Sequence, residues 1–321
     1  MGRRHAPVAT HASDALTTAR HMCTVEMSSG RVLYEKDAQT HAAMASTTKI
    51  ITAITVIENV ADLDAKVRVD NRAIGIEGTS IYLKSGEELT VRELLLGVML
   101  RSGNDASAAL ALYVAPAAPN APRNELFVPF CELMQATARK AGATDSSFKN
   151  PHGLDAEGHY TTARDLALIS AYAMRNPKFA EIVGTKTATI PGPDYPRHLR
   201  NKNRLLTGMD TCVGVKTGFT KKAGRCFVGA ARKNGMTVVN VVLNCGPMFE
   251  ESAALMERAA SEFVFTRLIQ SEQLVDDIGV TPEDFYYPLK SGDTFDVAHD
   301  AASIYATVNG VEVYRSNLLP L

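Results

Sequence analysis

Residues 46–60 read STTKIITAITVIENV and place a serine and a lysine at the start of a helical pattern. Apolar residues such as Ile50 and Ile54 recur near helical spacing, so the segment predicts a helix that begins close to Ser46. Ser46 and Lys49 are three residues apart, and that spacing puts both side chains on one face of a helix. The lysine amine can therefore reach the serine hydroxyl.

A structural interpretation of the same four residues competes with a catalytic one. Serine at the start of a helix usually caps it, and a nearby lysine is usually solvated. An S-x-x-K string also arises by chance in many proteins, so the pair needs further motifs before it indicates chemistry. Serine becomes a nucleophile only when a base removes its proton, and lysine serves as that base only when burial or a neighbouring cation lowers its pKa.

The composition indicates an ordinary globular protein. The chain has 321 residues, 45% hydrophobic and 21% charged, which excludes disordered, collagen-like and coiled-coil classes. At roughly 150 residues per domain, we expect about two domains, or one large domain with an appendage. The 34 basic and 35 acidic side chains leave a net charge of −1, so nothing in the overall charge favours nucleic acid as a partner.

Targeting and redox signals are weak in this sequence. Every apolar stretch is far shorter than the roughly 20 residues of a membrane-spanning helix. Residues 1–20 lack the apolar centre of a secretory signal, so none is predicted. The five cysteines are odd in number and form no CxxC pair, which favours neither a disulfide framework nor a zinc cluster. We interpret Cys212 and Cys226 first as small strand residues and only second as a bridge.

The pattern along the chain predicts an α/β (α+β) unit. Short runs around Ser29-Gly30 predict a β-hairpin over 22–34, and three later runs predict an antiparallel meander over 211–244. We expect the hairpin and the meander to share one sheet. Helices are predicted over 91–100, 106–114, 132–141, 162–173 and 251–268, and short strands follow from 286 to 314.

These elements suggest three parts of the chain. Residues 1–21 form an N-terminal tail, 22–270 the main domain, and 276–321 a short β-rich C-terminal domain. The C-terminal part, residues 276–321, is short, and we expect it to be an abbreviated domain.

Two further motifs accompany the S-x-x-K string. Ser102-Gly103-Asn104 lies at a break between two predicted helices, and Lys216-Thr217-Gly218 lies at the end of a predicted strand. The trio S-x-x-K, S-x-N and K-T-G is a known motif set of penicillin-binding proteins and class A β-lactamases.

The chain resembles the D-alanyl-D-alanine carboxypeptidases, the low-molecular-mass penicillin-binding proteins of the serine peptidase class (S11-like). The resemblance covers roughly residues 23–268 and implies a transpeptidase-like fold, an antiparallel sheet flanked by helices with a helical lobe. The strings that carry it, beside the trio itself, are Ala45 to Ile50, Ser102 to Ala106, Phe148 to Asp155, His159 to Asp165 and Val215 to Thr220.

The resemblance implies catalytic roles that physical chemistry supports. Ser46 attacks the carbonyl of the penultimate D-alanine and forms an acyl-enzyme, which water then hydrolyses. Lys49 is the base, and Ser102 relays a proton to the leaving amine. Hydrolysis and transpeptidation differ only in the second nucleophile, and the sequence leaves that choice open.

The substrate-binding residues follow from the other two motifs. Asn104 offers a donor and an acceptor to the substrate amide. Lys216 attracts the terminal carboxylate and also lowers the pKa of Lys49, and Thr217 offers a hydroxyl to the same carboxylate.

The oxyanion hole and the strand edge complete the predicted site. Gly218 carries no side chain and is expected to leave room for substrate backbone along the strand. The resemblance implies that the backbone N–H groups of Ser46 and Phe219 form the oxyanion hole.

No cofactor and no metal is expected. His152, Asp155 and His159 are metal-ligand residue types, but the glycines and proline around them predict a loop without a fixed face. Asp165 is interpreted as part of a helix start, where carboxylates are favoured. The expected partners are the D-Ala-D-Ala terminus of a peptidoglycan stem peptide and β-lactams as covalent inhibitors, and the expected location is the extracytoplasmic cell envelope, inferred from that substrate.

Two alternatives remain at this stage. A class A β-lactamase needs a glutamate that directs water to the acyl-enzyme. No glutamate between Asn104 and Lys216 has an E-x-x-L-N setting, and Gly103 stands where lactamases have aspartate. The other alternative is a non-catalytic peptidoglycan-binding or β-lactam-sensing module, whose signature is loss of Ser46, Lys49 or Lys216.

Overall fold

The computed structural model describes residues 16–321. Residues 1–15 of the predicted N-terminal tail lie outside the described residues. They make up most of the segment 1–20, in which no secretory signal is predicted. The described strands are β1 (His21–Glu26), β2 (Val32–Lys36), β3 (Lys66–Arg68), β4 (Glu88–Thr90), β5 (Thr187–Ile190), β6 (Arg197–Arg200), β7 (Cys212–Thr220), β8 (Gly224–Lys233), β9 (Met236–Leu243), β10 (Phe263–Ile269), β11 (Leu274–Val275), β12 (Gly279–Val280), β13 (Phe285–Lys290), β14 (Phe295–His299), β15 (Ser303–Val308) and β16 (Val311–Asn317).

The α-helices lie mostly between β2 and β7. They are α1 (Lys49–Asn59), α2 (Val91–Arg101), α3 (Asn104–Val114), α4 (Val128–Lys140), α5 (Ala163–Met174), α6 (Pro177–Gly184), α7 (Leu205–Gly208) and α8 (Met248–Glu262). The predicted helices at 91–100, 106–114, 132–141 and 162–173 correspond to α2 to α5. Among the described residues, no helix is long and apolar enough to cross a bilayer.

A five-stranded antiparallel sheet forms the centre, in the order β2-β1-β9-β8-β7. The expectation that the first hairpin and the last meander share one sheet is confirmed. Every residue of β9 is buried, because helices cover both faces. Val239 and Val241 join the core with α1 and α5, whereas Val238 and Val242 join the core with α8. The alternation of strand side chains thus separates two apolar layers.

The start of the first helix differs from the capping interpretation. A 3-10 turn, Ala45–Thr48, precedes α1, and Ser46 makes no capping hydrogen bond there. Ala45 has a φ of +49°, a left-handed conformation that a residue with a Cβ adopts at a cost. The backbone therefore turns sharply just before Ser46, and the serine side chain is left free of the helix.

The last helix of the main unit ends earlier than predicted. Residues 251–268 were expected to be helical, but α8 ends at Glu262, and β10 pairs antiparallel with β13. The segment Phe263–Ile269 is rich in aromatic and β-branched residues, which favour a strand once a partner strand is present. Cys212 and Cys226 are small strand residues of β7 and β8, as first interpreted, and all five cysteines are free and buried.

The C-terminal strands form a unit with its own small core. Arg31 of the β1–β2 connection fixes it to the central sheet. Its Nη1 donates to the Pro288 carbonyl at 2.5 Å and to Asp293 Oδ2 at 2.9 Å. The guanidinium also lies between the rings of Phe263 and Tyr287. The predicted boundary between a domain ending at 270 and one beginning at 276 stays a prediction, since β10 and β13 join both sides of it.

A loop that follows α4 packs on the turn before Ser46. The Asn150 side chain accepts from the backbone N–H groups of His152 and Gly153 and donates to the Leu154 carbonyl. Gly153 has a φ of +89°, and a Cβ on it would lie 1.9 Å from the Ala45 carbonyl oxygen. Only glycine permits this approach.

We predict that Gly153→Ala destabilises the protein by about 2–5 kcal/mol, because it adds a backbone clash to the left-handed penalty. Gly142→Ala is the matched control, since Gly142 has a φ of +82° with no atom near its missing Cβ. It should cost only about 1–2 kcal/mol. Urea unfolding of both variants tests the difference, and equal losses would show that the contact with Ala45 is not tight.

Candidate active site

Lys49 lies fully buried at the first position of α1. Its Nζ is 3.1 Å from Ser46 Oγ, 2.7 Å from Asn104 Oδ1 and 2.5 Å from the His152 carbonyl oxygen. The lysine amine therefore reaches the serine hydroxyl, as expected. The Asn104 and His152 contacts come from α3 and from the loop over residues 150–154.

The structure records Nζ as the donor to all three oxygens, and loss of the proton directed at Ser46 gives the neutral base. A neutral lysine has two N–H donors and one lone pair. The two donors serve the Asn104 and His152 oxygens, which are acceptors only. The lone pair then faces Ser46, whose hydroxyl can donate to it. This is the arrangement of a base about to receive the serine proton.

The surroundings lower the pKa of Lys49 well below its usual range. Burial is the main cause, and the positive charges of Lys216 and Lys202 act in the same direction. Asp105 opposes them, but its carboxylate accepts hydrogen bonds from Ser80 and from the backbone N–H groups of residues 81 and 83. Because no carboxylate of the described residues bonds to Lys49, the amine has no ion pair to keep it charged.

Lys216 is the second buried amine of the site. It lies in the middle of β7, and its Nζ donates to the Thr217 carbonyl at 2.9 Å. Burial, followed by the charge of Lys202, lowers the pKa of Lys216 to about 7. Lys216 therefore loses its charge more readily than a surface lysine, and an arriving carboxylate would restore it.

Lys202 is a charged residue of the cleft that the sequence analysis missed. It follows β6, outside every motif, and its charge acts on both buried lysines. Burial and Arg101 lower its own pKa. It lies in the run Arg200-Asn201-Lys202-Asn203-Arg204, whose composition by itself is typical of a solvated turn.

Ser102 and Asn104 lie at the α2–α3 break, as predicted. Ser102 ends α2 with a left-handed φ of +66° and is almost fully buried. Asn104 Nδ2 donates to the Glu77 carbonyl at 2.6 Å, while its Oδ1 holds Lys49. One N–H of the amide remains for a substrate, so Asn104 positions the base in addition to its predicted role.

Gly218 also packs closely against the turn that carries Ser46. A Cβ on Gly218 would lie 3.0 Å from the Ser46 nitrogen and 3.1 Å from the Thr47 nitrogen. The residue therefore makes room for the Ser46 turn, and it also lines the cleft beside Ser46; its role in leaving space for substrate backbone stays a prediction. Phe219 follows it and is 65% exposed. Ser46 is the second residue of its turn, where backbone N–H groups have no acceptor within the turn.

The other residues singled out in the sequence have structural partners. His159 lies between Thr48 Oγ1 and the Lys149 N–H, and Asp155 accepts from Thr220 Oγ1. Burial lowers the pKa of His152 to about 3. Asp165 lies in the first turn of α5, as predicted. Within residues 16–321, no group of three or more potential ligands is placed to hold a metal ion.

A cleft of about 970 Å³ opens beside Ser46. The site residues at its edge are Ser46, Ser102, Thr217, Gly218 and Phe219. Strand β7 is an edge strand of the central sheet, so its outer edge can pair with an extended chain.

Comparisons with known proteins agree with this geometry. A family model described as Peptidase_S11, D-alanyl-D-alanine carboxypeptidase, matches residues 8–246. The chain is 31% identical over 276 residues to D-alanyl-D-alanine carboxypeptidase DacF of Bacillus subtilis, covering 84% of this chain and 69% of the relative. It is 34% identical over 225 residues to a Streptomyces D-alanyl-D-alanine carboxypeptidase, covering 67% and 76%.

Solved structures show the same fold. The Streptomyces K15 DD-transpeptidase superposes with a TM-score of 0.69 at 30% identity, covering 78% of this chain and 98% of that one. The D-alanyl-D-alanine carboxypeptidase DacD of Francisella tularensis has a TM-score of 0.77 at 20% identity and covers 99% and 97%. The second likeness concerns the fold alone and extends over the C-terminal strands.

We predict that Lys216→Met raises the pKa of Lys49, because it removes a cation that disfavours protonation of the buried amine. The pKa should remain below that of an exposed lysine, since burial is the larger cause. NMR titration of labelled lysine side chains measures it, with Lys49→Arg to assign the signal. An unchanged Lys49 pKa would contradict the electrostatic link.

Proposed function

Because the chain belongs to the family of D-alanyl-D-alanine carboxypeptidases, peptidase family S11, we propose that it removes the terminal D-alanine from peptidoglycan stem pentapeptides. The observation that carries the proposal is the contact of 3.1 Å between Lys49 Nζ and Ser46 Oγ, in surroundings that lower the pKa of the amine well below its usual range. The reaction is hydrolysis by a serine nucleophile through an acyl-enzyme.

Acylation begins with proton transfer from Ser46 to Lys49. The serine oxygen then attacks the carbonyl carbon of the penultimate D-alanine. Negative charge develops on the carbonyl oxygen, and the backbone N–H groups of Ser46 and Phe219 are proposed to stabilise it. Such donors typically contribute about 2.7–4 kcal/mol each to transition-state stabilisation.

Collapse of the intermediate releases D-alanine. The C–N bond breaks, and Ser102 is proposed to relay a proton to the leaving amine. Water then attacks the ester on Ser46, and its proton passes to the same base as the serine leaves. Lys49 returns to the neutral form, so one amine serves both half-reactions.

Recognition of the terminal carboxylate is assigned to β7. Lys216 supplies the charge and Thr217 a hydroxyl, with Lys202 close enough to influence the Lys216 pKa. Binding of the carboxylate raises the pKa of Lys216, because an opposite charge favours the protonated form. Asn104 is proposed to donate its remaining amide N–H to the acyl part of the substrate.

The substrate also suggests partners and location. Peptidoglycan stem peptides that end in D-Ala-D-Ala lie outside the cytoplasmic membrane, so we propose extracytoplasmic action in the cell envelope. β-Lactams present an amide beside a carboxylate and are proposed to acylate Ser46 as covalent inhibitors.

The β-lactamase alternative is not favoured by the geometry. A lactamase of that class needs a carboxylate that directs water to the acyl-enzyme. In the part of the chain that the structure describes, no carboxylate bonds to Ser46 or Lys49. The module without catalysis is not favoured either, because the nucleophile and the base are in contact.

We predict that Ser46→Ala lowers D-alanine release from a diacetylated Lys-D-Ala-D-Ala peptide by at least about 10³-fold, because it removes the nucleophile. The covalent penicillin adduct, followed by intact mass, should disappear. The free energy of unfolding should change by no more than about 1 kcal/mol, since the serine caps no helix. An adduct that persists on another residue contradicts the assignment.

We predict that Lys216→Ala and amidation of the substrate carboxylate are not additive. Amidation should slow the wild type strongly but the variant only slightly, since both changes remove the same ion pair. The acidic limb of the pH profile of kcat/KM should move to higher pH in the variant, because the pKa of Lys49 rises. Equal effects of amidation on both forms, with an unmoved limb, would assign Lys216 a purely structural role.

A further inference from the structure

A second cavity lies beside the loop that holds the catalytic base. Its volume is about 360 Å³, in the lower part of the range for sites that bind small molecules. Its walls come from three parts of the chain, the segment 72–77, the segment 123–127 and His152. None of its lining residues also lines the cleft beside Ser46. The second cavity is therefore a space of its own, outside the site described above.

His152 gives the second cavity an unpartnered polar group. The residue is only 6% exposed. Its ring Nδ1 accepts from the Leu154 N–H at 3.3 Å, so the neutral ring carries its proton on Nε2. Burial keeps the ring neutral, because it lowers the pKa of His152 to about 3. No residue in the range 16–321 accepts from Nε2, although a buried donor normally has a partner. A ligand in the cavity can supply the acceptor.

Two side chains of opposite charge line the same cavity. The Arg123 guanidinium makes one hydrogen bond, from Nη2 to the Ile74 carbonyl at 3.4 Å, and Glu77 is exposed. Neither forms an ion pair with a residue in the described part of the chain. Arg72 differs from Arg123, because Asp70 already accepts from its Nε and Nη2. One available cation and one available anion match a ligand that carries both charges.

The rest of the wall is apolar. It is formed by Ile76, Leu126 and Phe127, and the Phe127 ring meets the His152 ring edge-on with their centroids 5.8 Å apart. An α-amino acid presents a carboxylate, an ammonium group and a side chain from a single carbon atom. These three groups correspond to the donors, the carboxylate and the apolar wall of the second cavity.

We propose that the second cavity binds a small zwitterionic α-amino acid. The ligand carboxylate accepts from Arg123 and from His152 Nε2, the ammonium group donates to Glu77, and the side chain contacts the apolar wall. The proposed reaction releases an amino acid of this class, D-alanine, which makes D-alanine the natural probe.

Two backbone carbonyls connect the second cavity to the catalytic base. The His152 carbonyl oxygen accepts from Lys49 Nζ at 2.5 Å. The Glu77 carbonyl oxygen accepts from Asn104 Nδ2 at 2.6 Å, and Asn104 Oδ1 accepts from Lys49 Nζ at 2.7 Å. The charge of Lys49 also acts on the His152 ring. A carboxylate bound at that ring therefore acts on Lys49 in return.

The sign of this action is fixed by the charges that surround Lys49. Lys216 and Lys202 lower its pKa, and Asp105 raises it. A ligand carboxylate beside the neutral His152 ring adds to the effect of Asp105, because negative charge favours the protonated amine. The ligand therefore raises the pKa of Lys49 and slows acylation at low pH. This inhibition rests on the proposed function, in which Lys49 is the base, whereas the binding itself does not.

Binding is measured on protein whose cleft is already occupied. Benzylpenicillin first acylates Ser46, and D-alanine is then titrated while NMR follows the ring signals of nitrogen-15 histidine, with His152→Asn to assign the signal. The His152 signal should shift with a Kd on the order of 1 mM, as expected for a ligand with few contacts. Propionate lacks the ammonium group and D-alaninamide lacks the carboxylate, so each should bind about fivefold more weakly.

The test variant is Arg123→Gln, and the matched control is Arg139→Gln, an exposed arginine of α4 outside both cavities. Arg123→Gln should weaken D-alanine binding about fivefold, whereas the control should bind like the wild type. In the unacylated wild type and control, saturating D-alanine should slow penicillin acylation about threefold at pH values below the acidic limb and leave it unchanged above the limb. Threefold corresponds to a rise of about half a unit in the pKa of Lys49. The same D-alanine concentration should have a smaller effect on Arg123→Gln.

The outcomes separate the two levels of the argument. If the His152 signal does not move in acylated protein, or moves equally in Arg123→Gln, the second cavity is not an amino-acid site. If D-alanine only raises the penicillin concentration needed for half-maximal acylation, equally in both variants, it binds in the cleft beside Ser46 and the inferred action on Lys49 is wrong. If penicillin forms no adduct, the proposed function fails, and the titration of unmodified protein decides whether the second cavity binds D-alanine.

Discussion

The site depends on the burial of the Lys49 amine, which lowers its pKa well below the usual range. A buried lysine without a carboxylate partner is unfavourable in its protonated form, so burial shifts it toward the neutral base. Two oxygens that can only accept hydrogen bonds, from Asn104 and His152, fix its two N–H groups. The remaining lone pair then has one direction left, toward Ser46.

The surrounding backbone is shaped to make this burial possible. Gly153 and Gly218 both pack against the turn before α1; a Cβ on Gly153 would clash with the Ala45 carbonyl, and one on Gly218 would be tightly crowded by the Ser46 and Thr47 nitrogens. One belongs to a loop over residues 150–154 and the other to the edge strand β7. Between them they enclose the turn that carries Ser46, while Ala45 in a left-handed conformation turns the serine out of the helix.

The charged side chains around the site also act on the pKa of Lys49. Lys216 and Lys202 assist burial in lowering the Lys49 pKa, and the same cations attract a substrate carboxylate. The nearest acid that affects Lys49, Asp105, is occupied by hydrogen bonds from a neighbouring loop. A near-neutral chain thus presents a basic cleft beside its nucleophile, which suits an anionic peptide.

The sequence by itself determined whatever depends on neighbours along the chain. The three-residue spacing of Ser46 and Lys49, the hairpins and the helix break at Ser102 all follow from local backbone geometry. The tertiary structure alone decided that His152 contacts Lys49 and that the charge of Lys202 acts on it, since neither residue carries a local signal of that proximity. It also ended α8 at Glu262, because β13 offered a partner strand, and it packed Gly218 against the Ser46 turn. Local spacing fixes pairs a few residues apart, whereas burial, and the pKa that follows from it, exists only once remote segments pack together.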